Sequence, residues 1–173
     1  NLALTLGVRR DRYTKVGTAR APRAAMVYHP TRSSTLKLLY GEAFRAPLPW
    51  EIYTNTTIYK SNFSLQPERI KTAEAVWEQR LTPTMFGTVS LYNYRMRDLI
   101  DPVIDPADSL TQLRNVGRAK AYGMEVELKA RYQTGLQGFV SFSYLYASDC
   151  KMFLMLTNSP RRLVIEGRFY PAT

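Results

Sequence analysis

Cysteine and histidine are almost missing: Cys150 and His29 stand alone in 173 residues. A lone thiol excludes an internal disulfide framework and a cysteine-rich zinc site. A lone imidazole leaves no basis for a multi-histidine metal centre or a His-dependent triad within the chain. Acidic side chains are also scarce, with 14 Asp and Glu against 24 Lys and Arg, a formal charge of +10. The basic residues are dispersed rather than blocked, and no glycine-rich phosphate loop, zinc finger or RRM sequence accompanies them. The charge therefore reads as spread over solvated faces and loops, with no nucleic-acid partner. There is no run of roughly 18 apolar residues, so no transmembrane helix is available, and the mean hydropathy is −0.28. The start, Asn1-Leu2-Ala3-Leu4-Thr5, has neither an initiating Met nor a signal-peptide pattern, and the end, Pro171-Ala172-Thr173, directly follows a strand-like stretch. The chain is expected to be an internal segment of a longer protein.

What is plentiful is apolar and aromatic: 45% hydrophobic residues, 12 Tyr, 7 Phe and 2 Trp. That excludes disorder as the default. The dominant hydrophobic period is two. It predicts eight strands, at 1–13, about 24–28, 35–44, 68–81, 85–97, 119–132, 136–146 and 161–170. The clearest is 119–132. Tyr122, Met124, Val126, Leu128, Ala130 and Tyr132 line one face, and Ala121, Gly123, Glu125, Glu127, Lys129 and Arg131 the other. The facing of 85–97 stays open, because both of its faces mix polar and apolar residues.

Proline and turn residues punctuate these runs. Segments 45–67 and 99–114 read as long loops, the first with a helical turn near 49–53 and the second broken by Asp101-Pro102 and Asp105-Pro106. A loop is also expected at 147–160. The connections near Thr31, Pro83 and Gly135 read as tight turns, and those after Tyr13, Phe44, Arg97 and Tyr146 as long or irregular. The fold class is all-β: an antiparallel up-and-down meander of about eight long strands. Long loops at one end and tight turns at the other are the plan of a transmembrane β-barrel, and strands of about 10 residues, tilted, span a bilayer. A soluble β-sandwich also alternates, but its strands usually run about 5–6 residues. On pattern alone it stays the alternative.

No catalytic constellation stands out. Glu74 and Glu78 share a strand face, as do Glu125 and Glu127, and a polar barrel lining accounts for all four. No enzyme and no metal site is expected.

Five motifs occur in one order: Tyr40-Gly41-Glu42-Ala43-Phe44-Arg45-Ala46-Pro47 with Glu51-Ile52-Tyr53 behind it; Asn62-Phe63-Ser64-Leu65-Gln66-Pro67-Glu68; Leu91 to Ile100; Asn115-Val116-Gly117-Arg118-Ala119 running on to Gly123, Glu125 and Glu127; and Asn158-Ser159-Pro160-Arg161-Arg162. Together they resemble the signatures of TonB-dependent outer-membrane receptors. Pro49-Trp50 and Ala75 depart from the usual pattern. The resemblance implies that residues 1–173 form part of the C-terminal half of a 22-stranded plugged barrel, without the plug domain, the TonB box or the terminal strands. It marks Gly41, Phe44, Arg45, Pro47, Pro67, Glu68, Asn115, Gly123 and Glu125 as signature positions.

The implied function is TonB-coupled import of a scarce bulky nutrient, most often a ferric siderophore, across the outer membrane of a Gram-negative bacterium. A passive porin-like channel and a soluble β-sandwich binding module are the alternatives. The implied partners are outer-membrane lipid, the plug and remaining strands, the TonB complex reached through the plug, and the ligand. No cofactor is expected on this segment, and iron only inside a chelate. Arg45, Trp50, Tyr53 and Tyr59 are the candidate ligand-binding residues. Aromatic rings offer stacking surface, and a guanidinium donates charge-assisted hydrogen bonds to an anionic chelate.

Overall fold

The computed structural model describes residues 1–14, 17–131, 137–149 and, as backbone, 161–170. Eight long strands pair in chain order: β1 (Leu2–Tyr13), β2 (Gly17–Thr31), β3 (Ser34–Arg45), β5 (Glu68–Thr82), β6 (Met85–Ile104), β7 (Thr111–Arg131), β8 (Gln137–Asp149) and β9 (Arg161–Tyr170). Every pairing among them is antiparallel. A short helix, α1 (Pro49–Tyr53), and a two-residue strand, β4 (Tyr59–Lys60), sit between β3 and β5. The sheet is open, with β1 and β9 at its edges. All eight long strands belong to it, so among the described residues there is no second sheet to make a sandwich, and that alternative falls.

The register converts the period-two pattern into two unlike faces. One rung runs Leu2–Tyr28–Leu36–Trp77–Val89–Val126–Phe142–Ile165 across all eight strands, and another Leu4–Met26–Leu38–Ala75–Leu91–Met124–Tyr144–Leu163. Neither contains a charged residue. The rung between them belongs to the opposite face and reads Ala3–Val27–Lys37–Val76–Ser90–Glu125–Ser143–Val164. The facing of β6, open in the sequence, is settled by its neighbours: Val89 and Leu91 join the apolar face. That face lies uncovered. Leu6 is 81% exposed and Val8 70%, and among the described residues no large side chain is fully buried. Uncovered apolar rungs on a single layer are what a sheet with lipid on one side requires.

Two expectations fail. The segment expected as a loop at 99–114 is largely strand. β6 runs on to Ile104 and β7 starts at Thr111, with Pro102 paired to Leu113. Beyond Arg97, β6 has no partner on its β5 side. It is an edge there, and an edge tolerates a residue without an N–H. A bulge after Met96, with Asp98 at φ 59°, sets the extension off from the main sheet. The connection after Tyr13 is also not long, since β2 begins at Gly17 rather than near 24. Residues 17–23 lack bulky apolar groups, so the alternation that marks a strand is invisible. Here Ala19 and Ala21 do the burying, at 1% and 9% exposure. The tight turn near Gly135, the greater part of the loop at 147–160 with Cys150, and the side chains of β9 lie outside the described residues.

Gly123 shows why its motif needs glycine. It pairs with Tyr92, and a Cβ there would run into the Tyr92 ring and the Tyr144 carbonyl. The tyrosine lies across the strand where a side chain would stand, and it stacks on Tyr94 at 5.2 Å. Gly41 is less demanding, with Thr72 Oγ1 at 3.4 Å from a built Cβ.

Candidate functional site

Five of the signature positions, Arg45, Pro47, Pro67, Glu68 and Asn115, gather at the loop end of the sheet. Arg45 closes β3 and pairs in register with Glu68, the first residue of β5. Its Nε donates to Glu68 Oε2 at 2.6 Å, and its two terminal nitrogens donate to both Glu51 oxygens at 3.0 and 3.1 Å. Glu51 is 7% exposed. Its Oε2 also accepts the Leu48 N–H at 2.7 Å, capping α1, while Pro49 opens the helix. Glu68 Oε1 accepts the Ile100 N–H at 2.9 Å, which replaces the ladder partner β6 loses beyond its bulge. One guanidinium thus joins β3, β5, α1 and, through Glu68, β6.

A second set of bonds folds segment 46–67 over the β6–β7 extension. Asn62 Nδ2 donates to the Leu113 carbonyl at 2.7 Å. Asn115 accepts from Gln66 N and donates to the carbonyls of Gln66 and Asp98. β4 runs parallel to β7, with Tyr59 opposite Thr111. Ile52, Leu65 and Leu113 form a small buried cluster beneath, with Ile100 packed on it. Pro47 and Pro67 are both buried at the two ends of the segment.

At the tip, Lys60 bridges Asp105 at 2.7 Å and Asp108 at 2.8 Å, and Arg114 reaches Asp105 at 2.7 Å. The Lys60 ammonium, with the Ala107 N–H behind it, draws the Asp105 carboxyl from 3.8 down to about 2. Lys60 and the Leu110 N–H lower Asp108, and the two carboxylates raise Lys60. This clasp lies beyond the sequence reading, which took 99–114 as irregular. The signal available was Asp105-Pro106-Ala107-Asp108, a turn sequence whose acids sit where a distant lysine can reach them.

The four expected ligand-binding residues do not share one state. Trp50 and Tyr53 on α1 are 58% and 49% exposed. Tyr53 meets Phe63 edge-on at 5.7 Å, and Phe63, not singled out from sequence, is itself 70% exposed. Tyr59 is half-buried in β4. Arg45 is engaged by its two carboxylates. Phe44 packs against Tyr13 at 6.3 Å, with the Arg9 guanidinium 5.7 Å from its ring centre. Glu125 stands on the polar face between Ser90 and Ser143.

A family profile described as TonB dependent receptor-like, beta-barrel matches residues 1–168. The chain belongs to the TonB-dependent receptor β-barrel family. Solved members of similar fold include the FrpB iron transporter from Neisseria meningitidis, 18% identical over 86% of this chain with a TM-score of 0.69. The siderophore receptor PirA from Pseudomonas aeruginosa is 19% identical over 84%, with a TM-score of 0.71. A mutant of the ferric enterobactin receptor PfeA from the same organism is 19% identical over 83%, with a TM-score of 0.74. This chain spans 24%, 28% and 24% of those three chains, about a quarter of each. No curated protein matches it. In this TonB-dependent receptor barrel segment, motifs far apart in sequence meet at the junction: Arg45, Glu51 and Glu68 form one hydrogen-bonded set, and Asn62 and Asn115 form a second that holds the same segment 46–67.

Proposed function

We propose that this chain is barrel wall from an outer-membrane receptor that imports a ferric siderophore with TonB coupling. The observation that carries the reading is the junction. Family signature residues bind segment 46–67 over the polar face, and the segment presents Trp50, Tyr53 and Phe63 in the open. In a closed barrel the polar face lines the lumen, so these rings stand at its mouth, on the ligand's route. An iron chelate with aromatic or planar donor groups stacks on such rings. The +10 charge raises the local concentration of an anionic chelate. Arg45 serves this site by fixing α1. The solved relatives named as an iron transporter and as siderophore receptors support the choice of ligand class.

The test uses the full-length receptor expressed in a strain lacking other siderophore receptors, with radioiron-labelled ferric enterobactin and a ferric hydroxamate as probes. Saturable binding without TonB, and uptake only with TonB, is expected for at least one probe. Uptake that needs no TonB and rises linearly with concentration would instead establish a passive pore. Changing Trp50, Tyr53 and Tyr59 together to Ala should weaken binding about tenfold or more, with heat-modifiable gel mobility unchanged. Unaltered affinity in an assembled barrel would remove the rings from the site.

A further inference from the structure

The rung of the polar face nearest the tight turns is unlike the rungs above it. It reads Arg80–Phe86–Lys129–Phe139 across β5 to β8. The next two read Glu78–Thr88–Glu127–Ser141 and Val76–Ser90–Glu125–Ser143, with no aromatic side chain. Phe86 is 44% exposed. A phenyl ring left open on a water-facing wall gains from any group that covers it. Phe86 and Phe139 border a cavity of about 480 Å³, which Lys129 and Arg131 also line, with Pro83 and Thr84 from the β5–β6 turn. The Arg131 N–H donates to the Thr84 carbonyl at 2.8 Å, which ties the end of β7 to that turn.

The charge around this cavity is one-sided. The Arg80 guanidinium lies 5.2 Å from the Phe86 ring centre. Among the described residues no ion pair engages Arg80 or Arg131, and both are exposed. The acids one rung further in are taken by lysines, Glu78 by Lys37 and Glu127 by Lys129. Two cations without an acid thus stand beside two phenyl rings. The positions of Phe86 and Phe139 are two strand spacings apart, about 10 Å. A planar ring midway between them lies about 5 Å from each, within the range of aromatic pairs. Ionised oxygens on that ring accept charge-assisted hydrogen bonds from the guanidinium groups.

We propose that this cavity is a second station for the imported ligand, on its exit side, and that it binds an anionic ferric chelate with planar aromatic donors, the catecholate class. The proposal rests on the reading of the chain as an importing receptor barrel, which puts the polar face in the lumen and the tight turns in the periplasm. The cavity has the size of a small-ligand site, and it offers rings and cations together where the chelate leaves the lumen.

The experiment uses the purified full-length receptor in detergent, with both mouths open to solution. A fluorophore on Ser33→Cys, in the turn whose carbonyl accepts the Arg80 N–H, reports a coloured ferric chelate by energy transfer in a Cys150→Ser background. Trp50→Ala/Tyr53→Ala/Tyr59→Ala disables the outer station in the same protein. Ferric enterobactin, an anionic tris-catecholate, should quench saturably, and a cationic ferric trihydroxamate should not. Arg80→Gln/Arg131→Gln should weaken the affinity about tenfold, the effect of two exposed ion pairs at the upper end of their range. Arg80→Lys/Arg131→Lys should keep most of it. Phe86→Leu/Phe139→Leu should weaken binding without changing its salt dependence. If a variant fails to assemble by heat-modifiable gel mobility, the wild type carrying the same fluorophore still decides: its quenching should be saturable and fall steeply as salt is raised. Absent or non-saturable quenching, equal quenching by the two chelates, or an affinity indifferent to salt overturns the proposal. Unchanged affinity in an assembled Arg80→Gln/Arg131→Gln receptor overturns it too. TonB-dependent uptake is scored separately, with the outer rings intact. Lost uptake with cavity binding preserved would count against the transport reading alone, and lost cavity binding with uptake preserved against this proposal alone.

Discussion

Along β7, Met124, Val126 and Leu128 lie on one face while Gly123, Glu125 and Glu127 lie on the other, on the same backbone and one residue apart. The apolar face has few polar contacts between its two ends, where Trp77 donates to Ser34 and Tyr40 and Lys71 hold Glu42. The polar face is cross-linked between strands by Lys37–Glu78 and Tyr94–Glu74, pairs Lys129 with Glu127 along β7, and ends in the Arg45 junction. The difference teaches where each face draws its stability. The apolar face depends on what covers it, and the polar face holds itself together through side-chain bonds and the folded segment above it. A slip of one residue in register would invert both.

The largest expected effect breaks this comparison directly. Val126→Arg in the full-length barrel should destabilise by about 2–4 kcal/mol in a folding titration into lipid vesicles, because it places a charge against hydrocarbon. Glu127→Gln, one residue away, should cost less than about 1 kcal/mol, since its partner Lys129 is exposed and solvent-screened. Equal costs would show that the two positions do not face different media.

A smaller effect probes the polar face. Arg45→Met leaves Glu51 buried without its cation and Glu68 with only the Ile100 N–H. About 1–3 kcal/mol of thermal stability should be lost, moderated because Arg45 itself is 44% exposed. Limited proteolysis within 46–67 should rise with it, and Arg45→Lys should restore part of the protection. Unchanged cleavage would mean the segment is held by Asn62 and Asn115 alone.

The two faces were plain in the sequence wherever one side was bulky and the other charged, as in β7. They were hidden where side chains are small. Residues 17–23 read as no strand because Ala19 and Ala21 carry their burial. The β6–β7 extension was hidden by Pro102, whose edge position no local rule reveals. The junction was legible as motifs but not as a unit, because hydrogen bonds such as Arg45 to Glu68 and Asn62 to Leu113 depend on register. The Lys60 clasp was invisible for the same reason. It needs β4 laid parallel to β7, a pairing that two residues of sequence cannot announce.

The smallest effect concerns that clasp. Asp105 is lowered to about 2, so its contribution is complete above the ordinary 3.8 and is lost as pH falls toward 2. Lys60 is raised above its ordinary 10.5, so its contribution is complete below that value and is lost only at higher pH. A nitroxide on Ser109→Cys, in a Cys150→Ser background, should show constant mobility from about pH 5 to 9 and loosen on acidification below about pH 4. Loosening near neutral pH would contradict the assigned ion pairs. High salt should also loosen it, because the groups are near the surface.

The central claim is that alternate residues of one strand meet lipid and water. Single nitroxides placed from 122 to 129 in the reconstituted full-length receptor, again without Cys150, test it by collision with oxygen and with a water-soluble nickel complex. Oxygen accessibility should peak at 122, 124, 126 and 128, with nickel accessibility higher at 123, 125, 127 and 129. A reversed phase, or no period of two at all, would contradict it.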